Sequence, residues 1–307
     1  MMNRPLRIFS AALGIVALSL SAPSIAGTPT AAAPAMAKPL KSPLRPALWK
    51  VSDEDTTIYL FGTVHALPKG LVWLDGPIAA ALDTSSELVT EIPDVPAAEQ
   101  QKAVMATGLL KGETLRSLMS DADRTAYEAL LGRLRIPAEA LDGLEPWLAG
   151  LTIAVMPYAM AGYGKEDGVE AVLRKAALAR GKKLGALETV DYQLGLFDQL
   201  PREAQLKFLG QAVNEFDRST GVIATMTDEW ASGDPEGLGK LMNQQMDDPV
   251  LSEALLYQRN RNWAAWVRQR LRQPGQVFVA VGAGHLAGAN SVQDALKAQG
   301  VIAKRVQ

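Results

Sequence analysis

Cysteine is absent from the 307 residues and histidine occurs only twice. Without cysteine there is no disulfide framework, no thiolate zinc site and no cysteine nucleophile. A dominant charge is missing too: 31 basic residues face 33 acidic ones, which leaves no electrostatic footprint for nucleic acid. The chain contains no Gly-x-Ser-x-Gly elbow, no His-Glu-x-x-His, no Walker A loop and no EF-hand loop. A serine triad is assembled in space and is not excluded by this, but no serine is singled out. What is plentiful is apolar material. With 48% hydrophobic and 21% charged residues, the chain reads as soluble and globular with ample core.

The first residues read as an address. Arg4 and Arg7 precede an uncharged apolar run over 8–22, and Ser24-Ile25-Ala26 is a small-x-small site. This is the layout of a secretory signal peptide, with a second candidate site at Ala35-Met36-Ala37. The run is about 15 residues, short of the about 20 that a spanning helix needs. The expectation is therefore a signal peptide over 1–26 and a periplasmic or secreted protein without a stable membrane span after cleavage. An uncleaved N-terminal anchor is the alternative. The segment 27–46, rich in Ala, Pro, Thr and Lys, is expected to be a disordered linker. One folded domain is expected over 47–307.

Within that domain, Thr57-Ile58-Tyr59-Leu60-Phe61 is a β-branched and aromatic run stopped by Gly62. Further strands are expected over 87–92, 183–187, 276–281 and 301–306. Helical pattern is expected over 77–82, 97–110, 121–134, 145–160 (interrupted by Pro157), 169–179, 202–216, 221–231, 235–244, 263–271 and 291–299. Ser120 would cap the third of these, with Asp123 completing a capping box. The alternation predicts an α/β fold: a central, largely parallel sheet with extensive helical insertions.

Both histidines end the same pattern, Gly62-Thr63-Val64-His65 and Gly282-Ala283-Gly284-His285. Each lies three residues past a strand-ending glycine, and ligands in open α/β sheets bind outside the carboxyl ends of the strands. Parallel neighbouring strands would bring the two rings to one rim. Imidazole is the commonest metal ligand and an acid–base near neutral pH; a hydrolytic metal site would add carboxylates. Glu91, at the end of one expected strand, and Glu188, directly after another, supply them, although an acid at a helix N-terminus is also ordinary.

Two other features compete for attention. Gly282-x-Gly284-x-x-x-Gly288 sits between a strand and a helix like a dinucleotide turn, but the following strand carries Lys304 and Arg305 and no acid for a ribose. Arg259, Arg261, Arg268, Arg270 and Arg272, with Trp263 and Trp266, read either as a solvated face with an aromatic anchor or as the source of an arginine that reaches the site to bind a substrate carboxylate or pair with a catalytic acid.

Taken together these segments resemble the TraB/GumN family, which includes the Tiki-type metalloproteases. The carrying residues are Leu48-Trp49-Lys50-Val51, Tyr59 to His65, Val89-Thr90-Glu91-Ile92, Leu187-Glu188-Thr189 with Gln193, Arg259-Asn260 with Trp263, and Val279 to Gly288. The resemblance implies a fold related to erythromycin esterase-like and haem-associated ChaN-like proteins. It implies a shared site at His65, Glu91 and His285, with Glu188 and Arg259 at recurrent positions. Gly168-Val169-Glu170 departs from the Gly-Val-Asp common in relatives; the longer acid keeps the charge but moves it. The expectation is a periplasmic metal-dependent hydrolase acting on a peptide or small-molecule substrate. A Zn, Mn or Co ion would sit on His65, Glu91 and His285. Glu91 would be ligand or base, and Arg259 would hold substrate or developing negative charge. The alternatives are a non-catalytic peptide-, haem- or metal-binding protein and a metal-free histidine-dependent hydrolase or transferase.

Overall fold

A computed structural model describes residues 43–243 and 248–307; the leader over 1–26 and most of the linker lie outside the described residues. The fold begins with a hairpin, β1 (Leu48–Ser52) and β2 (Thr56–Thr63). It turns at Asp53, whose carboxylate accepts the Thr56 amide at 2.9 Å. Next come β3 (Leu67–Pro68), α1 (Gly76–Thr84), β4 (Glu87–Thr90), α2 (Ala97–Thr107), α3 (Asp121–Arg133), α4 (Pro146–Met160) and β5 (Tyr163–Gly164). The middle of the chain supplies α5 (Val169–Ala179), β6 (Lys183–Ala186), α6 (Val190–Asp198), α7 (Arg202–Ser232), α8 (Pro235–Asn243) and α9 (Pro249–Ser252). A π-helical turn (Glu253–Tyr257) leads into α10 (Gln258–Arg270), then β7 (Gly275–Gly282), a 3-10 turn (Ala283–Leu286), α11 (Val292–Ala298) and β8 (Lys304–Arg305).

The main sheet has six strands in the order β6-β4-β7-β2-β1-β8. The four from β6 to β2 are parallel; β1 runs antiparallel to β2, and β8 runs antiparallel to β1. This is the expected α/β class. The central strand β7 is buried on both faces, which is why Val277-Phe278-Val279-Ala280-Val281 is apolar without alternation. On one face Phe61 and Phe278 meet Trp73 and Trp230, with Val169 and Leu173 of α5 alongside. On the other face Val277, Val279 and Val281 pack against Trp263 and Val267 of α10 and Leu296 of α11. A third core joins α4, α6 and α7 around Trp147, Phe197 and Phe208.

Three expectations are corrected. The helices expected over 202–216 and 221–231 form one 31-residue helix, α7. A buried stripe through Phe216, Ser219, Ile223 and Met226 runs past Gly221, and that packing outweighs the glycine's roughly 1 kcal/mol propensity cost. The last strand, expected over 301–306, is reduced to Lys304–Arg305, exposed at the edge beside β1. The arginine-rich helix starts at Gln258 rather than 263. Ser120 does cap α3, accepting the Asp123 amide at 3.2 Å, while the Asp123 carboxylate accepts the Ser120 hydroxyl at 2.7 Å.

Candidate functional site

The two Gly-x-x-His segments leave the sheet side by side. β2 and β7 pair in parallel from Thr56↔Gly275 to Thr63↔Gly282, so Gly62 stands opposite Val281. The junction is tight. A Cβ on Gly62 would lie 3.0 Å from the Ala283 Cα, and the Gly62 carbonyl accepts the Trp230 indole N–H at 2.8 Å. On the other side of β7, β4 ends at Thr90 opposite Ala280, and Glu91 follows. Pairing continues past the strand ends: the Glu188 amide donates to the Glu91 carbonyl at 2.8 Å. His65, Glu91, Glu188 and His285 thus share the C-terminal rim.

Arg259 comes to this rim from α10. Its side chain is 1% exposed, between Glu91 at 6% and Glu188 at 5%. Its Nη2 donates to Glu91 Oε2 at 2.6 Å and to Glu188 Oε2 at 2.9 Å. Its Nε donates to the Glu188 carboxylate at 3.1 and 3.2 Å. Its Nη1 donates to the Leu255 carbonyl and meets His285 Nε2, both at 3.1 Å. Residues 259, 260 and 263 lie on one helix face, so Asn260 and Trp263 arrive together. Trp263 donates to Glu188 Oε1 at 2.8 Å, stacks beneath Arg259 at 4.7 Å and meets the His285 ring at 4.3 Å. Gln193 donates to Glu91 and Glu188 at 3.0 and 2.8 Å, and the Gly282 amide donates to Glu91 Oε1 at 2.6 Å.

The tautomer of His285 follows from its neighbours. A guanidinium only donates, so Nε2 accepts from Arg259 and the proton sits on Nδ1, which donates to Asn260 Oδ1 at 2.6 Å. The Asn260 amide in turn donates to the Asn290 carbonyl at 2.7 Å, which fixes its orientation. Burial, reinforced by the Arg259 charge, pushes the pKa of His285 down to about 3. For Glu91, burial acts to raise the pKa, but the Arg259 charge and other contacts, including the Gly282 amide, hold the carboxyl far below its usual range.

His65 is different. Its Nδ1 lies 2.5 Å from Glu170 Oε1, with 28% of the side chain exposed, leaving Nε2 as the nitrogen that can face a ligand. Glu170 is the second residue of α5 and also accepts the Thr63 hydroxyl at 2.6 Å. Burial lowers the proton affinity of His65, but the charge and hydrogen bond of Glu170 outweigh it, so the pKa lies above the ordinary 6.5. Gly168 makes this possible: a Cβ there would sit 2.1 Å from the His65 carbonyl oxygen. The Val169 amide donates to the Val64 carbonyl at 3.0 Å.

Of the expected residues, Glu91, Glu188, Arg259 and His285 form one hydrogen-bonded cluster. His65 stands beside it, near enough for its charge to act on Glu91 and His285. Arg259 is not part of a solvated face, and Arg261 on the same helix is exposed. Glu170, Thr63 and Asn260 were not nominated as site residues. The expected ligands His65, Glu91 and His285 do not converge as metal donors: among the described residues no three His, Cys, Asp or Glu side chains form such a group. Both nitrogens of His285 and both oxygens of Glu91 are engaged internally, so this donor set does not fit a divalent ion as arranged.

The model of the TraB/PrgY/gumN family matches residues 47–305. An uncharacterized protein of Treponema pallidum (strain Nichols) is 24% identical over 273 residues, covering 81% of this chain and 79% of its own. The uncharacterized protein YbaP of Escherichia coli (strain K12) is 22% identical over 241 residues, covering 78% and 87%. No solved structure matches.

Proposed function

This chain belongs to the TraB/PrgY/gumN family, and from that membership and the rim geometry we propose a periplasmic hydrolase acting on a peptide or small acylated substrate. One observation carries the reading: His65, partly exposed, is held through Nδ1 by Glu170 at 2.5 Å, the arrangement that makes an imidazole a directed base. Nε2 of His65 takes a proton from water as the water oxygen attacks the scissile carbonyl. Glu170 stabilises the imidazolium, and the same nitrogen returns the proton to the departing amine or alcohol. His65 is the catalytic residue; Glu170 and Thr63 position it. The Glu91 charge favours the protonated imidazole and the Arg259 charge opposes it. No step is assigned to a divalent ion. A metal on His65, Glu91 and His285 is the competing proposal, and it requires Arg259 to release His285.

Export is proposed from Arg4, Arg7, the apolar run over 8–22 and Ala26. No helix among the described residues is long and apolar enough to cross a membrane. Intact mass of the protein recovered from a periplasmic fraction should correspond to a chain starting at Gly27. The activity is tested with fluorogenic peptide libraries and acyl esters. His65→Ala should lose about 10²–10⁴-fold in rate while keeping the wild-type far-UV circular dichroism. A wild-type protein that turns over none of these substrates, or a His65→Ala variant of unchanged rate, would overturn the reading.

A further inference from the structure

The hydrogen bonds of Arg259 close completely. A guanidinium has five N–H donors, and each has an acceptor inside the protein: Glu188 for Nε, Leu255 and His285 for Nη1, Glu91 and Glu188 for Nη2. The acceptors are equally committed. His285 gives its one lone pair, at Nε2, to Arg259, and its Nδ1–H is spent on Asn260. Glu91 gives one oxygen to the Gly282 amide and the other to Arg259 and Gln193. A metal ion needs the lone pair of a neutral imidazole or a carboxylate oxygen; here His285 Nε2 and Glu91 Oε2 point at a cation the chain already carries, and Glu91 Oε1 accepts from the Gly282 amide. Arg259 is also buried to 1%, so it presents no donor to a substrate; of the two roles expected for such an arginine, it takes the pairing with acids.

We infer that Arg259 is the resident cation of this site. It fills the electrostatic place of a divalent metal between Glu91, Glu188 and His285, so that the chemistry at His65 runs without a bound ion. The last clause rests on the hydrolase reading; the first does not.

The test reads metal binding independently of activity. Full-length protein produced in metal-replete medium should carry no stoichiometric zinc, manganese or cobalt by elemental analysis. Its thermal midpoint should be the same in EDTA and in added CoCl2. Arg259→Ala removes the guanidinium and frees two carboxylates and an imidazole, so this variant should gain the visible absorption of bound cobalt(II) and be stabilised by it. Should that variant not fold, the wild type still decides. Long-range 1H–15N spectra should show His285 as the Nδ1–H tautomer, and equimolar Mn2+ should leave its signals unbroadened. Three results would overturn the inference: stoichiometric metal in the wild type that His285→Ala loses, broadening of His285 by equimolar Mn2+, or a folded Arg259→Ala that binds no cobalt. Loss of hydrolysis in EDTA would overturn the metal-independence clause alone. A metal-free wild type that hydrolyses nothing would overturn the hydrolase reading and leave the resident cation standing.

Discussion

Glu170 Oε1 accepts from the Thr63 hydroxyl at 2.6 Å and stands 2.5 Å from His65 Nδ1, so one carboxylate oxygen fixes both the tautomer of His65 and its proton affinity. Because Glu170 raises that affinity, hydrolysis that needs neutral His65 should rise with pH through a midpoint above 6.5. Glu170→Gln removes the charge that holds the proton, so the midpoint of the pH–rate profile should move down, with a lower limiting rate. Glu170→Asp keeps the charge on a shorter arm and should retain a midpoint above that of the Gln variant. If the two profiles coincide, Glu170 is a packing residue and nothing more. From sequence, His65, Glu91, Glu188 and His285 were legible because strand ends and scarcity mark them, and Arg259 because it stands in an arginine-rich helix at a recurrent family position. Glu170 was legible only as a departure from Gly-Val-Asp that moves a charge, and the extra methylene belongs to the side chain that touches His65. Asn260 was visible only as a neighbour of Arg259, since nothing in a sequence separates an amide that fixes a tautomer from one that faces water.

The start of α5 is a wedge built for close approach. Gly168 has φ −62°, a conformation open to any residue, so its role there is spatial. A methyl at that position would meet the His65 carbonyl oxygen at 2.1 Å, a backbone atom that β2 and the Val64–Val169 hydrogen bond hold in place. Gly168→Ala should therefore cost about 1–3 kcal/mol of stability, as overpacking does. It should also push His65 away from Glu170, lowering the pH–rate midpoint toward 6.5. Urea unfolding and the pH profile of the same variant check both, and an unchanged profile would mean that the His65 segment shifts together with α5. Elements were readable wherever a pattern is local. The β-branched runs of β2 and β7 and the amphipathic face of α5 needed no tertiary information. The continuity of α7 through Gly221 and the pairing of β1 with β8 depend on what lies alongside, and a single sequence window does not contain that.

At the scale of the molecule, the two histidines put opposite pressures on stability. The folded pKa of His285 is about 3, below the ordinary 6.5. Between those values the unfolded chain binds a proton that the native state refuses, so stability present above pH 6.5 is lost as pH falls. His65 has a raised pKa, so its contribution is complete below 6.5 and is lost as pH rises through its folded value. Glu91, with a depressed pKa, adds to acid sensitivity below its ordinary 4.5. Between pH 6.5 and 4.5 His285 therefore acts without Glu91, while Glu229, raised above 4.5 by burial and its acidic neighbours, opposes it toward the lower end. There, refusal of one proton corresponds to a slope of about 1.4 kcal/mol per pH unit. Urea titrations across that window should show a slope steeper by about this amount in the wild type than in His285→Gln, whose side chain does not titrate and in which Glu229 acts as before. Equal slopes would mean that His285 is protonated in the native state. That would place two cations side by side at Nε2, which the 3.1 Å contact with a permanently charged guanidinium does not allow. The pH dependence of global stability thus tests the neutral His285 ring that the resident-cation argument requires, through an observable that involves neither substrate nor metal.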